Sequence, residues 1–406
     1  MNHAATVWVC VMVSKDTMTL PDPAAAQNQT KRILSIDAMR GLIIIFMMLD
    51  HIKERFALHI PILDPMDLAQ TSPAMYFSRY LAHLCAPMFV FLTGLSAWLY
   101  AHPANQAFRS PSRFLAKRGL FLIVLELTAV YLVWAGSIST IFLQVIWAIG
   151  LCMLALAVLS KLNYWLVGLL GFAIVIGHNL VSPVHFTPDE WGYNLWTLLH
   201  DRGYLTDTGP FTIRVSYPVL PWIGVILVGY FAGPLYAQSR SPEQRKKLLL
   251  GLGLGCYALL LVLRGFNLYG ESLPWQSQQS TLLTLMAFFN FTKYPPSLDF
   301  LLITLGTGLL LLCLFEFLDN RFIRALTVFG SAPMFVYLLH LYVLLLIYSL
   351  CYLIFGANQG GRFGIDSIYG LWVFAVILPI VLYKPTQWFA QYKHREKHQK
   401  PWLTYF

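Results

Sequence analysis

The sequence predicts an all-α, polytopic integral membrane protein with about ten transmembrane helices. Of its 406 residues, 57% are hydrophobic and only 12% are charged, whereas about 25% of the residues of a soluble protein are charged. The 12 Trp and 21 Tyr residues suit the aromatic belts that lie at the two faces of a bilayer. This composition excludes a water-soluble enzyme of ordinary build.

The apolar residues are grouped in runs long enough to cross a bilayer, which requires about 20 mostly apolar residues. We expect transmembrane helices near residues 35–57, 76–99, 115–135, 139–160, 163–183, 216–237, 247–268, 298–318, 325–352 and 368–388. They predict one membrane domain over residues 33–392. A tail of residues 1–32 precedes it, and a basic tail of residues 393–406 follows it.

The basic residues lie in short clusters between the apolar runs, and the formal net charge is +9. With a cytoplasmic N-terminus, 19 of the 28 Lys and Arg residues fall on the inner side and 7 on the outer side. Because Lys and Arg collect on cytoplasmic loops, both termini are predicted to be cytoplasmic. The positive charge thus indicates membrane topology, and no nucleic-acid partner is expected.

The six cysteines are far apart, and all but Cys10 lie inside apolar runs, where a thiol acts as a small hydrophobic group. Their spacing predicts neither a disulfide framework nor a metal site.

The first predicted helix is unusual because it contains Asp37, Arg40, Asp50 and His51. Charges inside a bilayer are costly and usually mark function. Arg40 and His51 are 11 residues apart, so they share one helix face at a separation of about 16 Å. Asp37 can pair with Arg40 one turn away, so Arg40 has either a ligand or a structural ion pair.

Two further histidines, His83 and His340, interrupt apolar runs at the predicted depth of His51. We predict that the three imidazoles surround one polar cavity with Arg40 at its cytoplasmic mouth. Asp50 points about 100° away from His51 around the helix, so it would serve another histidine. The alternative is that each histidine only bonds to a neighbouring helix.

Residues outside the first helix are candidates for substrate binding. Lys293 and Tyr294 precede two prolines that stiffen the entry to the eighth helix. Lys293 would bind an anionic or sugar ligand, or else anchor the helix at the membrane surface. Trp147 would line the substrate pocket, or else it would pack in the core.

Several motifs together resemble a known family. The run Ser35–Gly41, continued to Asp50 and His51, resembles the opening of the membrane-bound acyltransferases. The bacterial branch of the heparan-α-glucosaminide N-acetyltransferase family, catalogued as a domain of unknown function, has similar motifs over residues 33–395. These are Asp64–Leu68, His83–Pro87, Tyr217–Trp222, Thr292–Ser297 and Phe335–His340.

The resemblance implies a transmembrane acyltransferase fold in the bacterial inner membrane, with membrane lipid around it and, by analogy, a homodimer. It implies an enzyme that moves an acetyl group from cytoplasmic acetyl-CoA to an extracytoplasmic sugar or glycan acceptor. Arg40, with Asp37, would then bind the CoA end of the donor. His51 would be catalytic, together with Asp50, His83 and His340.

The sequence departs from the lysosomal members of this family at two of the candidate positions. Those members have Asn where His51 stands and Asp where His83 stands. Their proposed catalytic histidine lies further along the chain, where only His59 is near. His59 is therefore a candidate for the acceptor site, and the alternative is that it replaces His51 in the catalytic role.

The residues alone also agree with acyl transfer, because imidazole has an ordinary pKa of about 6.5 and can take the proton of an attacking amine or hydroxyl. The main alternative is a proton-coupled secondary transporter of a small polar or anionic solute, with the same residues as a proton relay. A non-catalytic membrane scaffold is a third class, and it leaves the ionisable residues of the first helix unexplained.

Overall fold

The structure is a computed structural model that describes residues 33–57, 71–104, 106–135, 140–206 and 212–406. Residues 33–406 form one compact unit. The chain is mostly helical, at 71% helix. The described α-helices are α1 Leu34–Phe56, α2 Pro73–Ala82, α3 Cys85–Ala101, α4 Ser112–Leu125, α5 Tyr131–Ala135, α6 Val145–Leu159, α7 Tyr164–Gly177, α8 Tyr193–Leu199, α9 Leu220–Phe231, α10 Pro242–Gly265, α11 Thr281–Phe288, α12 Leu298–Phe317, α13 Arg321–Ser331, α14 Pro333–Phe355 and α15 Ile368–Glu396.

Six helical segments of the described chain are long and apolar enough to cross a membrane. They are Pro73–Ala101, Tyr164–Val181, Pro242–Gly265, Leu298–Phe317, Pro333–Phe355 and Ile368–Glu396, and each corresponds to one of the ten predicted runs. The other predicted runs form helices that are short, such as α6 and α9, or rich in charge, such as α1. The sequence prediction of ten spans is thus supported for six.

Prolines account for two helix breaks that the apolar runs did not reveal. Pro87 has no N–H to donate to the carbonyl of His83, and α2 ends at Ala82 before α3 begins at Cys85. Pro333 stands at the first position of α14, where proline is tolerated, and the preceding Ala332 has a non-helical backbone. The predicted run 325–352 is therefore two helices, α13 and α14.

A second irregularity lies at the end of α4, where Glu126–Val130 form a π-helical turn before α5. Such turns inside helices often occur at functional sites. The turn brings the buried Glu126 carboxylate to the N-terminus of α6. There it accepts hydrogen bonds from the backbone N–H groups of Ile146, at 3.1 Å, and Trp147, at 3.2 Å.

A small sheet, absent from the all-α prediction, consists of β1 Thr140–Leu143, β2 Gly203–Thr206 and β3 Thr212–Val215. The strand order is β1-β3-β2, with β1 parallel and β2 antiparallel to β3. Strands this short carried no readable alternation of apolar and polar residues beside the long apolar runs.

The helix α1 lies in the core of the bundle and packs closely against α13. A Cβ on Gly41 would lie 2.0 Å from the carbonyl oxygen of Leu326, and one on Gly330 would lie 1.8 Å from that of Asp37. The two backbones therefore touch, which only glycine allows. We call the end of the molecule where α1 begins the proximal end, and the end where α1 finishes the distal end.

Candidate active site

Two of the predicted histidines are joined by a hydrogen bond. His51 Nδ1 of α1 lies 2.7 Å from His340 Nε2 of α14, although the residues are 289 positions apart in the chain. Their rings are nearly parallel, with centroids 5.0 Å apart. The pair therefore joins the first helix to the helix that follows the Pro333 break.

The hydrogen bonds around the pair determine which nitrogens carry protons. His340 Nδ1 lies 2.8 Å from the carbonyl oxygen of Val336, which can only accept, so this nitrogen carries the hydrogen of the neutral ring. His340 Nε2 is then the acceptor, and His51 Nδ1 donates to it. No residue of the described chain bonds to His51 Nε2, which keeps its lone pair in this tautomer, the form that a general base or nucleophile needs.

Aromatic rings surround this pair. Trp134 and Tyr337 pack edge-on against His51, with ring centroids at 5.4 Å and 6.0 Å. The Tyr337 ring also contacts His340, at 5.7 Å. His340 is completely buried, whereas His51 is half-buried. His51 is therefore the member of the pair that a substrate can reach.

An apolar cavity of about 260 Å³ lies between this pair and the proximal end. Tyr337 lines the cavity, so one ring contacts both the cavity and the histidines. Most of the lining is aliphatic or aromatic, and two guanidinium groups, those of Arg40 and Arg118, are its only basic side chains among the residues described. The lining suits a largely apolar group with a negatively charged end.

Arg40 is partly paired where it lines this cavity. Its Nη1 donates to Asp37 Oδ1 at 3.1 Å, and its Nη2 donates to the hydroxyl of Ser96. The predicted pairing of Asp37 and Arg40 is thus present, and Asp37 does not itself line the cavity. About a quarter of the Arg40 side chain, 24%, remains exposed. Asp37 therefore orients a guanidinium that still faces the cavity.

The hydrogen-bond partners of Asp50 are not the paired histidines. Arg79 of α2 donates to both carboxylate oxygens of Asp50, at 2.7 Å and 2.6 Å. Lys53 lies 3.3 Å from the same carboxylate, and Glu54 lies 3.6 Å from Arg79. These four residues form a distal ionic cluster, in which Asp50 has no hydrogen bond to a histidine of the described chain.

Lys293 and Tyr294 lie at the distal end, in the segment that enters α12. The Tyr294 hydroxyl donates to Tyr217 at 3.1 Å, and its ring faces two cations, Arg202 at 4.5 Å and Lys293 at 5.2 Å. One carboxylate, that of Glu271, holds the segment at both ends.

Glu271 accepts hydrogen bonds from the Thr292 backbone at 2.8 Å and from the Ser297 hydroxyl at 2.7 Å. The position of Lys293 is thus set by an acid 22 residues earlier in the chain.

The remaining predicted residues are not brought to the histidine pair. The buried His83 ring contacts Tyr80, at 5.8 Å, and Phe300, at 5.2 Å, and no bond joins it to His51 or His340 in the described chain. Trp147 packs in an apolar cluster with Leu143 of β1 and does not line the cavity. His59 lies outside the described residues.

A comparison with protein families matches more than half of the chain. Residues 32–259 match the model described as heparan-alpha-glucosaminide N-acetyltransferase, catalytic. The chain belongs to this family. No curated protein matches the sequence. Together with the six apolar helices, the match suggests a membrane acetyltransferase.

The matched part of the chain contains Arg40, His51 and the charges of the distal ionic cluster, but not His340. The structure supplies the link between the two parts through the bond from α1 to α14. The resemblance of the motif Phe335–His340 is the sequence signal that pointed to this second part.

Sequence reasoning overlooked several residues that the structure places at these sites. Arg118 was counted only among the basic residues that set the membrane orientation. It directly follows Lys117 in the sequence, and this adjacency conceals that the two side chains point in different directions on a helix. Tyr337 lies three residues before His340, so a helical projection from that histidine could have found it. Arg79 lies inside the predicted run 76–99, so its charge was a signal, but its partner Asp50 on another helix could not be deduced. Glu271 gave no signal, because the segment that it binds is distant in the sequence.

Proposed function

We propose that the protein moves an acetyl group from acetyl-CoA to an amine or hydroxyl of a sugar or glycan acceptor. The observation that carries this proposal is the bond from His51 to His340, which leaves His51 Nε2 unprotonated and accessible. The neighbouring cavity has mostly apolar walls and two basic groups, Arg40 and Arg118, which suit the arm and the phosphates of an acyl-CoA.

In the proposed reaction, the donor lies along the cavity with its thioester towards Tyr337 and His51. Arg40 binds phosphate oxygens of the donor, because a guanidinium offers two parallel N–H donors that fit an oxyanion. Asp37 and Ser96 hold that guanidinium in place. The apolar walls exclude water, so the thioester is protected from hydrolysis.

His51 Nε2 accepts the proton of the acceptor amine or hydroxyl as that group attacks the thioester carbonyl. The new C–N or C–O bond forms, the C–S bond breaks, and the proton passes from His51 to the departing thiolate. His340 keeps His51 in the productive tautomer and stabilises the imidazolium that forms, the role an orienting partner has in other proton-transfer sites.

The distal residues are proposed to bind the acceptor. Tyr294 and Lys293 present a hydroxyl, an aromatic face and an ammonium group close to the distal end of α1, and Glu271 fixes their segment. Hydroxyl groups and an aromatic face are suited to a sugar ring. Donor and acceptor would then approach His51 from opposite ends of the bundle.

The proposal is tested by measuring free CoA released from acetyl-CoA by the purified protein in nanodiscs. We expect release to increase on addition of glucosamine or another amino sugar, with formation of the N-acetyl product. Proteoliposomes that take up the sugar without releasing CoA would contradict the enzyme and favour a secondary transporter.

A second measurement separates direct transfer from a covalent route. The protein is incubated with radiolabelled acetyl-CoA in the absence of acceptor, quenched and digested. We expect no label on the peptide that contains His51. A labelled peptide would mean that His51 itself takes the acetyl group before the acceptor does.

The proposed location is a bacterial inner membrane, with the proximal end and both termini in the cytoplasm, where acetyl-CoA is available. A reporter that is active only in the cytoplasm, fused after Phe406, is expected to be active. If the reporter were inactive and also resisted a protease acting in the cytoplasm, the C-terminus would lie outside. That result would overturn the orientation and with it the direction of transfer.

A further inference from the structure

The cavity has a second guanidinium group, that of Arg118 on α4, which sequence reasoning did not assign to any site. Its Nη1 donates to the carbonyl oxygen of Thr404 at 3.3 Å, and its guanidinium lies 5.9 Å from the centroid of the Phe114 ring. Within the described chain no carboxylate pairs with it. A neutral carbonyl is a weaker partner for a guanidinium than an anionic oxygen.

The partner of Arg118 belongs to a short 3-10 helix, Pro401–Tyr405, at the end of the sequence. We call residues 401–406 the strap. Leu403 of the strap is completely buried in a cluster with Ala332 and Phe389. Lys393 of α15 donates to the carbonyl oxygen of Phe406 at 2.9 Å, so the strap is fixed to the bundle by apolar and polar contacts.

The strap also contacts the helix that carries Arg118. The ring of Phe121, three residues after Arg118 on α4, lies 5.1 Å from Tyr405 and 5.7 Å from Phe406. Residues three apart lie on the same face of a helix, so Arg118 and Phe121 meet the strap together.

The strap joins two walls of the cavity at the proximal end. One wall is α4, which contributes Leu115 and Arg118 to the lining. The other is the start of α14, where Pro333 and Met334 line the cavity directly after Ala332, which belongs to the same apolar cluster as Leu403. The strap thus contacts the helix that carries Arg118 and also packs in the apolar cluster at the start of α14.

We propose that Arg118 binds phosphate oxygens of the donor beside Arg40, and that the strap positions it for this purpose. This inference rests on the proposed function, because it assigns a second residue to the donor site. When the donor enters, the guanidinium exchanges the carbonyl of Thr404 for an anionic oxygen. Arg118 does not take part in proton transfer, so its role is confined to donor binding.

The test compares two donors that share the thioester but differ in charge, acetyl-CoA and S-acetylpantetheine, which has no phosphate. For Arg118→Gln we expect KM for acetyl-CoA to rise roughly 10- to 100-fold with little change in kcat, since an ionic hydrogen bond is lost. With S-acetylpantetheine the variant and the natural protein should be equal. Lys117→Gln, which removes the same charge from an exposed neighbouring position, is the control and should leave both donors unaffected.

Binding of CoA, measured by calorimetry on the same samples, separates this inference from the proposed function. If the natural protein does not bind CoA, the proposed function fails. If it binds CoA and Arg118→Gln binds equally well, only the role of Arg118 fails. An equal loss with S-acetylpantetheine would also overturn it, because the side chain would then act on the cavity and not on phosphate.

The positioning role of the strap has its own variants. Leu403→Ala is expected to raise KM for acetyl-CoA several-fold, and to have no further effect in a protein that already carries Arg118→Gln. Leu169→Ala on α7 is the control, because it removes the same atoms from a side chain that is 65% exposed and lies outside the strap. Additive effects of Leu403→Ala and Arg118→Gln would show that the strap acts elsewhere and contradict the inference.

Discussion

The two ends of α1 both contain charged side chains, yet they differ in how those charges are paired. At the distal end, Asp50 accepts two hydrogen bonds from Arg79 and lies beside Lys53, so its charge is neutralised within the protein. At the proximal end, Arg40 has one carboxylate and one hydroxyl as partners and still faces a cavity.

This difference shows that an ionisable residue in a buried helix is not by itself evidence of a site. A buried ion pair whose hydrogen bonds are complete holds helices together, and removing one partner is costly. A side chain whose bonding capacity is incomplete beside a cavity is available to a ligand. His51, which directly follows Asp50 on the same helix, belongs to the second kind because no described residue bonds its Nε2.

The comparison predicts that His51 has the largest effect on transfer. His51→Ala is expected to lower kcat by about 10²–10⁴-fold, the usual contribution of a positioned proton acceptor. Steady-state acetyl transfer with purified protein measures this loss, and His398→Ala, which removes an exposed imidazole, is the control. If the His59→Ala variant lost activity and the His51→Ala variant kept it, the general base would be His59 and not His51.

His340 is expected to have the next largest effect, because it orients His51 without touching the substrate. His340→Phe keeps an aromatic ring of similar bulk but removes the acceptor for His51 Nδ1, and we expect kcat to fall about 10²-fold, as for a misplaced catalytic group. The pH profile of kcat should also change in this variant. An unchanged profile would indicate that His340 only fills space.

Arg40 is expected to act on donor binding. Arg40→Ala should raise KM for acetyl-CoA by roughly 10- to 100-fold, because an ionic hydrogen bond to phosphate is lost. Arg40→Lys should recover only part of the affinity, since an ammonium cannot form the bidentate contact. Initial rates over a range of acetyl-CoA concentrations separate KM from kcat. A fall in kcat alone would place Arg40 at the reacting atoms.

Asp50 is expected to have the smallest effect on transfer and a clear effect on stability. Asp50→Asn should reduce the free energy of unfolding by roughly 3 kcal/mol, because the buried Arg79 loses the carboxylate to which it donates two hydrogen bonds. Folded protein should keep transfer within about threefold, as expected for a residue outside the reaction. Thermal unfolding in detergent and activity per folded molecule test the two parts. A specific loss of kcat at normal stability would restore Asp50 as a catalytic residue.

Much of the fold was accessible to sequence reasoning, because long apolar runs and prolines act locally. The six long apolar helices follow from such runs, and the alignment of Arg40 with His51 follows from helical geometry. The break before α14 could have been placed from Pro333. The strands could not have been placed from the sequence, because each has only four residues and pairs with a distant part of the chain.

The candidate site was only partly accessible for the same reason. Depth along the membrane placed His51 and His340 at one level, but it placed His83 there as well, and depth contains no information about direction around the bundle. The partners of Asp50 illustrate the limit, because Arg79 lies 29 positions away on another helix. The role of Arg118 depends on a segment almost 300 residues later.

The backbone contact between α1 and α13 fixes the position of residues that are proposed to bind the acetyl donor. Arg40 and His51 are carried by one continuous helix, so their separation of about 16 Å is fixed by the helical rise. Gly41 and Gly330 lock that helix against α13, and a single residue, Ala332, connects α13 to the helix that carries His340. The backbone therefore fixes the separation of these two residues. In the proposed reaction, this separation would be matched to the distance from phosphate to thioester, which is the same in every acyl-CoA, and discrimination among acyl groups would depend on the space beyond His51.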